Sequence, residues 1–131
     1  MAFMVWNDRL MTGIGAVDGD HRKLVRMINS LYDAIQAGES HAQLQELLKE
    51  LTDYTRVHFA REERLFEATN YPGAAKHKAE HSAMVAWVEG IRAQVDEGTA
   101  VAPSLEVMTR LKDWLFDHIL GSDRRYVAHM A

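Results

Sequence analysis

Two pairs of metal-ligand side chains stand four residues apart on either side of one turn: His58 with Glu62, and His77 with His81. On an α-helix this spacing places the partners of each pair on one face, about 6 Å apart along the axis. Imidazole and carboxylate so placed suit a shared metal ion. Between the pairs lies Asn70-Tyr71-Pro72-Gly73, where Pro72 biases Tyr71 away from helical angles and Gly73 permits unusual ones. The chain should reverse there, leaving two antiparallel helices with both pairs near the turn. Such pairs also decorate solvated helix faces, so the rest of the chain must decide what these do.

Composition narrows the chemistry. A chain of 131 residues sustains one domain with a real core. It contains no cysteine, which excludes disulfides, thiolate zinc, iron–sulfur clusters and a cysteine nucleophile. Any metal must therefore be held by imidazole and carboxylate. The net charge of -4 is spread over interspersed acids and bases, without a basic stripe carrying aromatics. Neither nucleic acid nor an anionic membrane is expected as a partner. Apolar runs are too short to span a bilayer and the N-terminus carries no basic-then-apolar leader pattern, so a cytoplasmic protein is expected. Seven histidines are the compositional oddity.

The elements that must position these side chains follow from periodicity. Residues 1–17 show no sustained period, and Gly13 and Gly15 interrupt any helix, so an extended arm is expected, packed through Trp6 and Ile14. Asp18 or Asp20 is placed to cap a first helix, in which His21, Leu24, Val25, Ile28, Leu31, Tyr32 and Ile35 form one stripe. Gly38 should end it. Ser40 with Gln43 resembles a capping box opening a second helix to about Thr69, whose stripe ends in His58, Glu62 and Leu65. A third helix, from about Ala74 to Glu97, carries His77, His81, Met84, Val88, Ile91 and Val95 inward. Pro103 suits the first turn of a fourth, with Leu105, Met108, Leu111, Leu115 and His118 inside and Gly121 as its stop.

The expected fold is all-α, an up-down-up-down antiparallel four-helix bundle over residues 18–121, with the arm at 1–17 and a short C-terminal segment at 122–131, all one domain. In that topology His21, His58, Glu62, His77, His81 and His118 fall at one end of the bundle, in a core otherwise made of Leu, Met, Val and Ile. So many buried polar groups at one level require a common partner. Asp123 is a further candidate, although five residues after His118 it would point about 140° away on a regular helix. A helix end or bulge at Gly121 would resolve that. His41 and His129 fit no such layer and are expected at the surface.

Seven donors exceed what one structural zinc takes, and two ions are the better count. Imidazole with bridging carboxylate suits iron. The ferritin-like Glu-x-x-His pattern is absent.

The full set, with Trp6, Asp18, Phe59, Tyr71-Pro72, Trp114 and Ile119 around it, closely resembles hemerythrin, specifically the bacterial single-domain hemerythrins. That resemblance covers nearly the whole chain. It implies two iron ions (Fe2+/Fe3+) joined by an oxo or hydroxo bridge, one held by His77, His81 and His118, the other by His21 and His58. Glu62 and Asp123 would bridge them. The second ion would then be five-coordinate, with its open position for dioxygen. The implied function is reversible dioxygen binding for storage, transport or delivery to an oxygen-consuming enzyme. The same centre would serve an oxygen or redox sensor, or an enzyme detoxifying peroxide or nitric oxide. No serine or threonine is placed with a base and an orienting acid, so nucleophilic catalysis is not indicated. The resemblance implies a carrier rather than an enzyme, and a monomer is expected because the helix exteriors are well charged.

Overall fold

The computed structural model describes residues 2–99 and 102–130. Its long helices are α1 (Gly15–Gln36), α2 (His41–Thr69), α3 (Ala74–Asp96) and α4 (Leu105–His118), followed by a π-helical turn (Ile119–Asp123) and a last helix, α5 (Arg124–Met130). No strand occurs among the described residues. Helices α1 and α2 pack along each other, as do α2 and α3, and α4 returns against α1. The chain is an all-α four-helix bundle. Its core is the expected set of inward side chains, with Leu24, Ile28, Leu31, Leu48, Leu51, Met84, Val88, Met108 and Leu115 all buried. Phe59 and Phe66 of α2 are also buried, beside the stripe that periodicity picks out.

Helix ends follow local chemistry. Gly38 takes a φ of +70° just after α1, the left-handed conformation that costs glycine nothing. Ser40 and Gln43 form the reciprocal capping box at the start of α2. Ser40→Ala is expected to destabilise the fold by about 1 kcal/mol, read as a shift in the urea midpoint at unchanged slope.

Several boundaries differ from expectation, each for a physical reason. At the turn between α2 and α3, Asn70 takes the left-handed conformation (φ 53°), while Gly73 has an ordinary φ of -85°. Gly73 is needed for space, since a Cβ there would lie 2.8 Å from the Tyr71 ring and hydroxyl. Pro103 precedes the fourth helix rather than opening it, because Ser104 is the cap and accepts from the Val107 N–H. That shift leaves Leu105 60% exposed instead of inside.

Neither Asp18 nor Asp20 caps α1, which already begins at Gly15 with no side-chain cap. Asp18 reaches back instead. It accepts from the Thr12 N–H and hydroxyl, both at 2.8 Å, and from the Gly13 N–H at 3.1 Å. The arm is also tied at its other end, where the Met4 N–H donates to Asn29 Oδ1 (2.7 Å) and Asn29 Nδ2 donates to the Met4 carbonyl (2.8 Å). It is not simply extended: residues Asp8–Leu10 make a 3₁₀ turn. Met4 and Leu10 are its buried anchors, whereas Trp6 and Ile14 are half-buried.

Gly121 does not end the fourth helix. The chain passes through it in the π turn and continues as α5, which buries Tyr126 completely. Residues 122–131, expected to be a short tail, thus begin with the last two residues of that turn and a helix; Ala131 lies outside the described residues.

Candidate metal centre

Four helices and the π turn bring one ligand-type residue or pair each to the same end of the bundle. α1 carries His21 near its start, and α2 carries His58 and Glu62 toward its end. His77 and His81 lie at the start of α3, and His118 is the last residue of α4. The π turn ends on Asp123. Hydrogen bonding from i to i+5 widens each turn, so a residue five positions on returns toward the face of the first. That swings Asp123 back beside His118, and the two approach to 3.1 Å. All seven side chains are buried.

They form two joined clusters, one of Glu62, His77, His81, His118 and Asp123, the other of His21, His58 and Glu62. In the first, His118 Nε2 lies 2.9 Å from His77 Nε2 and 3.2 Å from His81 Nε2. Nitrogens bound at about 2.1 Å in adjacent octahedral positions would stand about 3 Å apart. The observed separations are therefore those of three imidazoles turned on one ion. Asp123 spans the clusters, with Oδ1 3.0 Å from His77 Nε2 and Oδ2 3.1 Å from His21 Nε2. Glu62 Oε1 lies 2.9 Å from His58 Nε2 and 3.5 Å from His81 Nε2.

Distance alone does not satisfy these groups. Both oxygens of Glu62, both of Asp123 and both ring nitrogens of His21 are buried without a hydrogen bond of acceptable geometry among the described residues. Left so, each would cost roughly 1–3 kcal/mol or more. Lone pairs converging in a dry pocket are the signature of cation binding.

The far sides of the rings are held by carboxylates. His58 Nδ1 lies 2.9 Å from Asp20, His81 Nδ1 3.2 Å from Glu63, and His118 Nδ1 3.3 Å from Glu80. Asp20 and Glu63 accept the Nδ1–H of His58 and His81, which fixes the tautomer and turns the Nε2 lone pair inward, and Glu80 faces His118 at ion-pair distance. These three acids have no place in the periodic stripes. The only sequence sign of them is adjacency, Asp20 before His21, Glu63 after Glu62 and Glu80 before His81.

Asp20 is the most heavily engaged. Its other oxygen accepts from Tyr54 (2.5 Å) and Arg61 (2.9 Å). Burial alone would raise this carboxyl, but the hydrogen bonds from His58 and Tyr54 and the charges of His58 and Arg61 outweigh it and lower it. Burial and the hydrogen bond to Asp20 push Tyr54 up to about 12. Asp20→Asn is expected to weaken metal binding about 10–100-fold, measured by competition with a chelator.

Aromatic rings pack the ligand faces. Phe59 stacks on His81 at 3.8 Å between centroids, Trp114 on His118 at 4.4 Å, and Phe66 lies 4.6 Å from His77. Away from the cluster, His41 and His129 are exposed, as expected, and His129 faces the Thr69 carbonyl at 2.9 Å.

Residues 12–129 match the model of the hemerythrin HHE cation binding domain. The chain belongs to the hemerythrin family. Among hemerythrin relatives, bacteriohemerythrin of Pseudomonas aeruginosa is 42% identical over 97% of this chain and 81% of that protein. Myohemerythrin-1 of Phascolopsis gouldii is 30% identical over 93% of this chain and 90% of its own. A crystal structure of wild-type hemerythrin superposes with a TM-score of 0.91 at 28% identity, covering 98% of both chains. A hemerythrin domain holds a di-iron centre, and two joined histidine–carboxylate clusters fit that group.

Proposed function

We propose that the protein binds dioxygen reversibly at a di-iron centre and stores, transports or delivers it to oxygen-using enzymes. The observation that carries this reading is the placement of Asp123, one oxygen beside the imidazoles of His77 and His118 and the other toward His21. His77, His81 and His118 would hold one iron, His21 and His58 the other, with Glu62 and Asp123 shared. The iron pair, when bound, would supply the electrons for dioxygen capture.

The chain's own residues make such capture reversible by orienting the ligands and excluding water. Asp20 and Glu63 fix two rings through Nδ1, and Glu80 faces a third. On the core side, Leu24, Ile28, Leu51, Met84, Leu111 and Leu115 line a narrow void of about 20 Å³ under Phe59 and Trp114. Its one hydroxyl, on Thr55, is already bonded to the Leu51 carbonyl at 2.7 Å. An apolar void without free polar partners stays dry. Dryness protects a captured oxygen from proton-driven loss.

No described helix is long and apolar enough to cross a membrane. We read the chain as a single-domain monomer acting in the cytoplasm, a state that sedimentation of the iron-loaded protein tests. The functional test is iron content with visible absorption on protein reduced without air, exposed to oxygen and then purged. A charge-transfer band that rises with oxygen and fades on purging is expected. Immediate conversion to a stable ferric spectrum would overturn the carrier reading in favour of a sensor or detoxifying enzyme.

A further inference from the structure

On the outer face shared by α1 and α2, cations surround Tyr54 and Val57. Lys23 Nζ lies 4.3 Å from the centre of the Tyr54 ring, and the charges of Arg61 and Arg26 are both felt at the Tyr54 hydroxyl. Val57 is 50% exposed, and at helical spacing Tyr54, Val57, Arg61 and Arg64 share one side of α2. Lys23, Arg26 and Arg64 are exposed and make no ion pair among the described residues. Arg61 has only Asp20, a buried carboxylate that also serves His58. The positive charge of this face is therefore open to solvent.

The rest of the surface has the opposite sign. The chain carries a net charge of -4, and toward the other end of the bundle Asp33, Glu39, Glu46, Glu50, Asp96 and Glu97 are all exposed. A field divided in this way repels an acidic protein from one end and steers it to the other. Three of the four cations are arginines, whose planar fork takes a carboxylate through two parallel hydrogen bonds. Tyr54 and Val57 add the apolar centre that protein interfaces use.

The face is also joined to the metal cluster. Tyr54 donates to Asp20 Oδ1 at 2.5 Å, and His58 Nδ1 lies 2.9 Å from Asp20 Oδ2, so one carboxylate separates a half-buried ring from a ligand-type histidine. Two hydrogen bonds make a short path for an electron. Reversible capture creates the need for one, because an oxygen that leaves with its electrons strands the centre as ferric.

We propose that this face of α1 and α2 is the docking surface for an acidic one-electron carrier protein that returns an oxidised centre to the ferrous state. The proposal rests on the di-iron reading. Two carriers, each oxidised by one electron, take a diferric pair to the diferrous state, and an oxo bridge takes one proton from solvent to become hydroxo. Such docking is brief, and a small patch suffices for it.

The test mixes iron-loaded, diferric protein, without air, with reduced plant-type ferredoxin, an acidic iron–sulfur protein, or with reduced methyl viologen, a small cationic donor that the patch does not attract. The rate with ferredoxin is expected to fall about tenfold or more in the double variant Lys23→Glu/Arg26→Glu, and in the parent to fall steeply with salt. The rate with methyl viologen should not fall in the variant. Lys49→Glu, a reversal of exposed charge away from the patch, should leave both rates as in the parent. Calorimetric titration with oxidised ferredoxin reads docking alone and should weaken in the same double variant. An unchanged ferredoxin rate in that variant overturns the proposal, as does an equal fall with both donors or an equal fall in Lys49→Glu. Binding to phosphatidylserine vesicles that the double variant loses, with ferredoxin binding unaffected, overturns it in favour of a membrane-facing surface. Any of these results with iron content intact leaves the di-iron reading standing. Variant-sensitive ferredoxin binding by protein that takes up no iron would instead keep the docking surface and overturn the di-iron reading, and the electron role with it.

Discussion

Glu62→Ala is expected to leave the protein unable to hold a paired iron centre. Glu62 is the one residue common to both clusters, so its loss removes a donor from each. His58 would keep only Asp20, on its far side, as a carboxylate contact. Elemental analysis after anaerobic reconstitution should fall from about two irons per chain to one or none, with loss of any oxygen-dependent visible band. His41→Ala is the control, since His41 is exposed at the start of α2, at the far end of the helix from the cluster. It should bind iron as the parent does. Full iron occupancy in Glu62→Ala, or loss of iron in His41→Ala, would overturn the assignment of the layer.

Iron uptake should release a proton and weaken in acid, and the cause is His58. Burial disfavours its charged form, but the hydrogen bond to Asp20, the close approach and charge of Glu62 and the charge of Asp123 outweigh this and push it up to about 9. His81 goes the other way. Burial and the neighbouring charges of His118 and His77 push it down to about 2, so it is neutral and ready to ligate. Metal and proton compete for His58 at every pH below about 9, where each unit of acidification should weaken binding on that side about tenfold. Above that value the dependence disappears. Calorimetry in two buffers of different ionisation enthalpy counts the proton directly. A pH-independent affinity over the neutral range would show that His58 is not a ligand. Asp20→Asn should flatten the dependence, because it removes the largest of the interactions that hold the proton on His58.

Periodicity determined much of this molecule. Because an α-helix repeats every 3.6 residues, the stripes alone placed His21, His58, Glu62, His77, His81 and His118 inward, and short connections made the helices antiparallel. Capping chemistry likewise set Gly38 and Ser40, since it depends only on neighbours in sequence. The same reasoning misplaced Leu105 and took Gly121 first as a stop, although the bulge it also allowed there is what the π turn supplies. It also spent Asp18 and Asp20 as caps, when one ties down the arm and the other holds His58.

What the tertiary structure alone decided is how the outer carboxylates and Asp123 reach the cluster. Asp20 meets His58 across 38 positions of sequence, and Glu80 meets His118 from another helix; no local pattern encodes such contacts. The π turn at Ile119–Asp123 is the clearest case. Judged locally, ordinary helical hydrogen bonding is the better choice there and would turn Asp123 away. Only with His21, His77 and His118 already gathered by three other elements does the wider turn gain, because it carries a buried carboxylate to the one place in the core where it is wanted.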